Sequence, residues 1–164
     1  CAVLLGQWAR QAGAEAVYGI HRSPVHAQHL AEMGIVPIAQ DDTAAVNAAA
    51  AQAEVVYDAT GGSLAEAILS VMPETGTFVC YGLLSGQTFR QQRPLPRVAW
   101  FHIRNYLDAL SAEAWQALFR RIWPKLRASQ CSDVPLYPLS EWQRAVGNYR
   151  EAGRTGKPML SMDN

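Results

Sequence analysis

Three short stretches hold the side chains with chemistry to offer. His21-Arg22-Ser23 sets a guanidinium between an imidazole and a hydroxyl. A guanidinium meets phosphate oxygens two at a time, and a hydroxyl adds a further bond, so the trio suits a phosphate-bearing group. Thr60-Gly61-Gly62 and Tyr81-Gly82-Leu83 join a hydroxyl-bearing side chain to glycine, which admits positive φ and lets a backbone come close to another group. Turns use glycine for ordinary reasons too, so these stretches gain weight from where they stand in the chain. Metal chemistry has little to work with. His26 and His29 share a helical spacing with only Glu32 nearby, whereas zinc takes three or four ligands, so they read as an ordinary exposed pair. Cys80, inside an apolar run, reads as a small buried hydrophobe.

The elements that must position these stretches alternate between helix and strand. An amphipathic helix from Cys1 to Ala14 closes at Gly13, and Glu15–His21 is an apolar strand. Ser23 and Pro24 supply an N-cap and first helical residue for a helix carrying Leu30 and Met33. Ile35–Ala39 is a strand that Pro37 marks as an edge, since proline cannot donate to the ladder. Asp41 or Asp42 caps an alanine-rich helix to about Glu54, and strand Val55–Thr60 leads into a capping box, Ser63-Leu-Ala-Glu66. Strand Gly76–Gly82 is followed by an aperiodic loop, Leu83 to Arg97, suited to covering a ligand.

A strand-like segment from Trp100 to Tyr106 and a helix from Ser111, ended or kinked near Pro124, come next. Beyond Ser129 the pattern changes. An extended edge segment, Asp133–Tyr137, precedes a second capping box at Ser140-Glu-Trp-Gln143 and a closing strand within Gly156–Met162. Short turns between alternating helices and strands predict an α/β fold, a parallel sheet wound with helices on both faces. Ligands of such sheets sit at the carboxyl ends of the strands, where all three stretches fall. After the first strand a carboxylate would meet ribose hydroxyls; this turn has none, and Arg22 with His21 and Ser23 suits a 2′-phosphate.

Composition narrows the partners. Among 164 residues, 14 Lys and Arg balance 14 Asp and Glu, leaving no basic excess to track nucleic acid. Hydrophobic residues are 49% and charged ones 17%, the latter below the roughly 25% usual for soluble domains, so the chain buries a core and hides further surface. The apolar runs Ala2–Leu5 and Phe78–Tyr81 fall far short of the ~20 residues that span a bilayer. Cys1, Cys80 and Cys131 form no C-x-x-C pair, which fits a reducing, cytoplasmic setting. The sequence opens inside its first helix with no N-cap ahead, giving the expectation of further chain upstream.

The runs Leu4–Ala14, His21-Arg22-Ser23, Leu30-Ala-Glu-Met-Gly34, Asp58-Ala-Thr-Gly-Gly62 and Gly76-Thr-Phe-Val-Cys-Tyr-Gly82 resemble the cofactor-binding half of the medium-chain dehydrogenase/reductase superfamily. They are most similar to its zinc-independent branch of quinone reductases and 2-enoyl thioester reductases. The resemblance covers nearly the whole chain, Gly156-Lys157 included. It implies a Rossmann-type doubly wound parallel sheet in residues 1–130, lacking its first strand and glycine-rich loop. Residues 131–164 would then be a segment returning to a second, GroES-like catalytic domain.

The resemblance also implies that NADP(H) is held with His21, Arg22 and Ser23 at the 2′-phosphate. Thr60, Gly61, Tyr81, Gly82 and Leu83 would line the ribose and nicotinamide, Lys157 would reach the cofactor from the C-terminal strand, and Ala2 would stand at the last position of the glycine-rich fingerprint. The segment Trp100–Tyr106 would join sheets across a homodimer axis. In the resembling reductases the implicated tyrosine belongs to the catalytic domain. No residue of this chain is therefore read as catalytic, and Tyr81 reads as a cofactor contact or packing residue.

These readings combine into the cofactor-binding part of an NADPH-dependent oxidoreductase, inactive alone, that reduces an activated C=C bond in an enoyl thioester or a quinone-like acceptor. Two alternatives stay open. One is a fragment of a zinc-dependent alcohol dehydrogenase with its ligands elsewhere; the other is a non-catalytic nucleotide-binding or dimerisation module. A short-chain dehydrogenase is excluded, since no tyrosine has lysine four positions on.

Overall fold

A computed structural model describes residues 2–107, 110–132, 134–151, 153–154 and 156–162. Cys1 and Asp133, placed by the sequence in the first helix and in an extended segment, lie outside the described residues. The elements run α1 Ala2–Gln11, β1 Tyr18–His21, α2 Val25–Glu32, β2 Val36–Ala39, α3 Thr43–Ala50, β3 Val55–Asp58, α4 Gly62–Val71, β4 Thr77–Cys80, β5 Arg97–Trp100, α5 Arg104–Leu107, α6 Ala112–Arg127, β6 Leu136–Pro138, α7 Trp142–Arg150 and β7 Met159–Ser161. Every strand pair is parallel. The chain divides into two compact units, residues 1–39 with 125–164, and residues 40–124.

In the first unit β1 pairs with β2, Gly19 opposite Pro37. Leu30, Met33 and Ile35 form the buried centre, with Val3 of α1 and Val17 packed against it. The helix can come this near because Gly6 has no side chain: a Cβ there would lie 2.6 Å from Ile35 Cδ1. Gln7, buried on α1, donates to Gln130 O at 2.9 Å and accepts from Gln130 N at 2.8 Å. This two-way bond satisfies a buried amide and ties the chain after α6 to α1. A second sheet pairs β6 with β7.

In the second unit the strand order is β3-β4-β5. Phe78 on β4 is fully buried, Met72, Ala65, Ile68 and Leu69 are buried too, and α3 adds Val46 and Ala50. Phe78 meets Phe89 edge-on at 5.4 Å, and Phe89 stacks on Trp100 at 5.2 Å. The segment expected to be a ligand-covering loop is therefore partly core: Phe89 packs inward, and Arg93 Nη2 donates to the carbonyls of Leu69 and Met72 at the end of α4.

Several sequence expectations change. Ser63 does not cap α4. The helix begins at Gly62 with Gly61 as N-cap, and Glu66 accepts from Arg90 N instead. Ser140 likewise falls inside a 3-10 turn, Leu139–Glu141, so the second capping box does not form. Ser23 makes no side-chain cap for α2, whose N-cap is Pro24. The strand expected at Trp100–Tyr106 ends at Trp100, and residues 104–107 make the short helix α5. There His102 turns the chain, its O accepting from Asn105 N and its Nδ1 from Arg104 N. The helix α6 runs through Pro124. Leu118, Ile122 and Leu126 stay in phase across the proline, which outweighs one missing hydrogen bond.

Candidate functional site

In the second unit the turns after β3 and β4 are knitted together. Asp58, the last residue of β3, is buried, and its carboxylate accepts from Thr60 N at 3.0 Å and Gly61 N at 2.8 Å. Its carbonyl accepts from Tyr81 N at 2.8 Å. Leu84 N donates to Ala59 O, and Ser85 gives both its N–H, at 3.0 Å, and its hydroxyl, at 2.6 Å, to Thr60 O. Gly61 adopts φ +69°, and a Cβ there would stand 2.6 Å from both Gln87 O and Leu83 Cδ2. Only glycine fits such a close approach at positive φ. The close neighbour of these glycines is thus the chain's own 83–87 segment, where the sequence had suggested a ligand.

Five of the sequence-predicted residues, Thr60, Gly61, Tyr81, Gly82 and Leu83, therefore come together at one sheet edge. Among the described residues nothing accepts from the N–H groups of Gly82 and Leu83. Burial, reinforced by the nearby negative charge of Asp58, pushes the Tyr81 phenol above its ordinary pKa and does the same for the Cys80 thiol.

In the first unit His21 ends β1, and Arg22 and Ser23 form the turn into α2. Arg22 is exposed, and among the described residues no carboxylate pairs with it. His21 Nδ1 is buried and has no hydrogen-bond partner among them. Gly153, from the turn after α7, faces the same place, since a Cβ on it would lie 3.3 Å from Ser23 Oγ. An unpaired guanidinium, a hydroxyl and an unsatisfied ring nitrogen make a donor set that fits a phosphate. Ala2 begins α1, and Lys157 is exposed just ahead of β7. Among the described residues no three of His, Cys, Asp or Glu are grouped to hold a metal ion, and no helix is long and apolar enough to cross a membrane.

The sequence pattern of the zinc-binding dehydrogenases matches residues 2–122. The chain belongs to this family. It is thereby a member of the medium-chain dehydrogenase/reductases, as its motifs had implied. No curated protein sequence matches it. Among solved structures, a Bacillus thuringiensis protein assigned as an NADPH:quinone reductase superposes with a TM-score of 0.81 at 22% identity, over 97% of this chain and 52% of that one. The enoyl reductase CurK gives 0.72 at 21%, over 94% and 49%. A mycobacterial protein solved in complex with NADPH gives 0.75 at 16%, over 96% and 52%. The fold is Rossmann-type α/β, and the chain spans about half the length of those structures.

Two residues of the site escaped the sequence reading. Asp58 stands two and three positions before the N–H groups it accepts from, the spacing of a local side-chain-to-backbone turn, and that signal was available. Ser85 had none, because its partner Thr60 lies 25 residues away.

Proposed function

We propose that this chain is the NADPH-binding part of an oxidoreductase that reduces an activated C=C bond, as in an enoyl thioester, or a quinone-like acceptor. The observation that carries this is the turn after β1, where Arg22 is exposed and unpaired among the described residues beside Ser23, with no carboxylate present. A carboxylate there would favour the bare ribose of NADH; a guanidinium favours the 2′-phosphate. Gly82 and Leu83 offer two N–H donors, free among the described residues, to the nicotinamide end, Thr60 and Tyr81 offer hydroxyls, and Gly61 lets the 83–87 segment pack close against the turn that carries Thr60. Lys157 adds a cation from the β7 side, and Ala2 opens α1, whose first N–H groups suit the pyrophosphate.

Bound NADPH supplies a hydride to the acceptor, where negative charge develops that needs a proton donor. None of the residues above is assigned that part, so residues 131–164 are read as returning to a GroES-like domain that provides it. The exposed aromatics Trp100, Phe101 and Tyr106 support a homodimer through that segment. Unpaired cysteines support a cytoplasmic setting.

The test is a fluorescence titration with NADPH and then NADH, read by energy transfer from the five tryptophans. NADPH should bind more tightly. Arg22→Ala should weaken NADPH about tenfold or more, the worth of a charge-assisted hydrogen bond, and leave NADH unchanged. Equal affinities before and after would remove Arg22 from the site, and absence of binding by either cofactor would remove the cofactor reading from this chain.

A further inference from the structure

Asp58 carries a charge in the wrong place for a residue that merely fills space. It is 6% exposed, and no cation pairs with it among the described residues. Taking a carboxylate out of water without a counter-ion is costly unless hydrogen bonds to its oxygens compensate. Here the compensation comes from two backbone donors of one turn, Thr60 N and Gly61 N, with one carboxylate oxygen for each.

Resting on the NADPH reading above, we propose that Asp58 is a positioning residue for the cofactor turns, acting through Thr60 and Gly61 and joined in this by Ser85. Thr60 is held from both sides. Its N–H goes to Asp58 and its carbonyl to the N–H and hydroxyl of Ser85. With both backbone groups committed, the Thr60 hydroxyl is the polar group this residue keeps for a ligand. Asp58 O meanwhile accepts from Tyr81 N and Ala59 O from Leu84 N, so the turn after β4, with its free Gly82 and Leu83 N–H groups, is set from the same few residues. Neither Asp58 nor Ser85 need touch the cofactor for its affinity and bound geometry to depend on them.

Asparagine at position 58 keeps the size but turns one acceptor into a donor, which then faces an N–H group. Asp58→Asn should weaken NADPH and NADH alike by about tenfold, the effect of losing one hydrogen bond to a charged group. The emission maximum of NADPH at saturation should also move toward that of the free cofactor. Ser85→Ala, at an exposed residue whose loss leaves the core intact, should do the same to a smaller degree. A purely stabilising role would lower the melting temperature and leave the saturated emission unchanged.

Folded variants with wild-type affinity and wild-type bound emission overturn the proposal. Should Asp58→Asn fail to fold, Ser85→Ala decides alone on the same two readings. If the wild-type chain binds neither cofactor, the NADPH reading falls and takes this one with it. If the wild type binds and the variants match it, only the positioning role falls.

Discussion

At the scale of single residues, chemistry is decided by what surrounds a group. Tyr81 and Cys80 both titrate above their ordinary range, through burial first and, to a lesser degree, the negative charge of Asp58, while a backbone hydrogen bond with Gly82 pulls the Cys80 thiol the other way. Each raised acid keeps its proton longer in the folded chain than in the unfolded one. Stability from this source is therefore complete below the ordinary pKa values and is lost as pH rises from them through the raised values of the folded chain. The melting temperature should fall as pH climbs past about 9 to 10, the ordinary range of thiols and phenols, and Tyr81→Phe should flatten the upper part of that fall. Melting curves followed by circular dichroism from pH 7 to 11 check this; a wild-type profile level across the range contradicts it. The Arg22 turn could be singled out from the sequence because its three residues are neighbours in the chain. Ser85 was invisible because a hydrogen bond across 25 residues leaves no local pattern.

At the scale of elements, the sequence placed most helices and strands but misjudged where several begin. Capping needs the right residue and also a backbone that stops being helical at that residue. Asp42 meets both conditions, its Oδ1 accepting from Ala45 N at 3.0 Å, and so does Ser111, whose Oγ accepts from Ala114 N at 3.2 Å. Ser63 fails the second, since α4 has already started at Gly62. Asp42→Ala should cost about 1 kcal/mol of unfolding free energy by the usual worth of a cap. Ser63→Ala, on an exposed position, should stay within about 0.5 kcal/mol. Urea titrations of the two variants separate them, and equal losses would show that the box at Ser63 caps after all. Strand ends were overestimated because apolar runs continue into turns, where the hydrogen bonds go to loop partners such as Leu84 N on Ala59 O.

At the scale of the whole molecule, two compact units each gather a centre of their own, Leu30, Met33 and Ile35 in one, and Phe78 with Met72, Ile68 and Leu69 in the other. Phe78→Ala empties the second centre beside Phe89 and should cost about 3–5 kcal/mol, measured by denaturant unfolding; a loss under about 1 kcal/mol would mean that Phe89 closes the gap. The sequence by itself determined the α/β class, the parallel pairing and the family, because periodicity and short motifs are local and survive without coordinates. Only the tertiary structure decided that the 83–97 segment is partly core, that glycines 61 and 62 make way for the chain itself, and that Asp58 and Ser85 hold Thr60 from both sides. Those outcomes depend on which distant residues arrive at one place, and close packing at a sheet edge is settled by volume and hydrogen-bond satisfaction, which no short stretch of sequence contains.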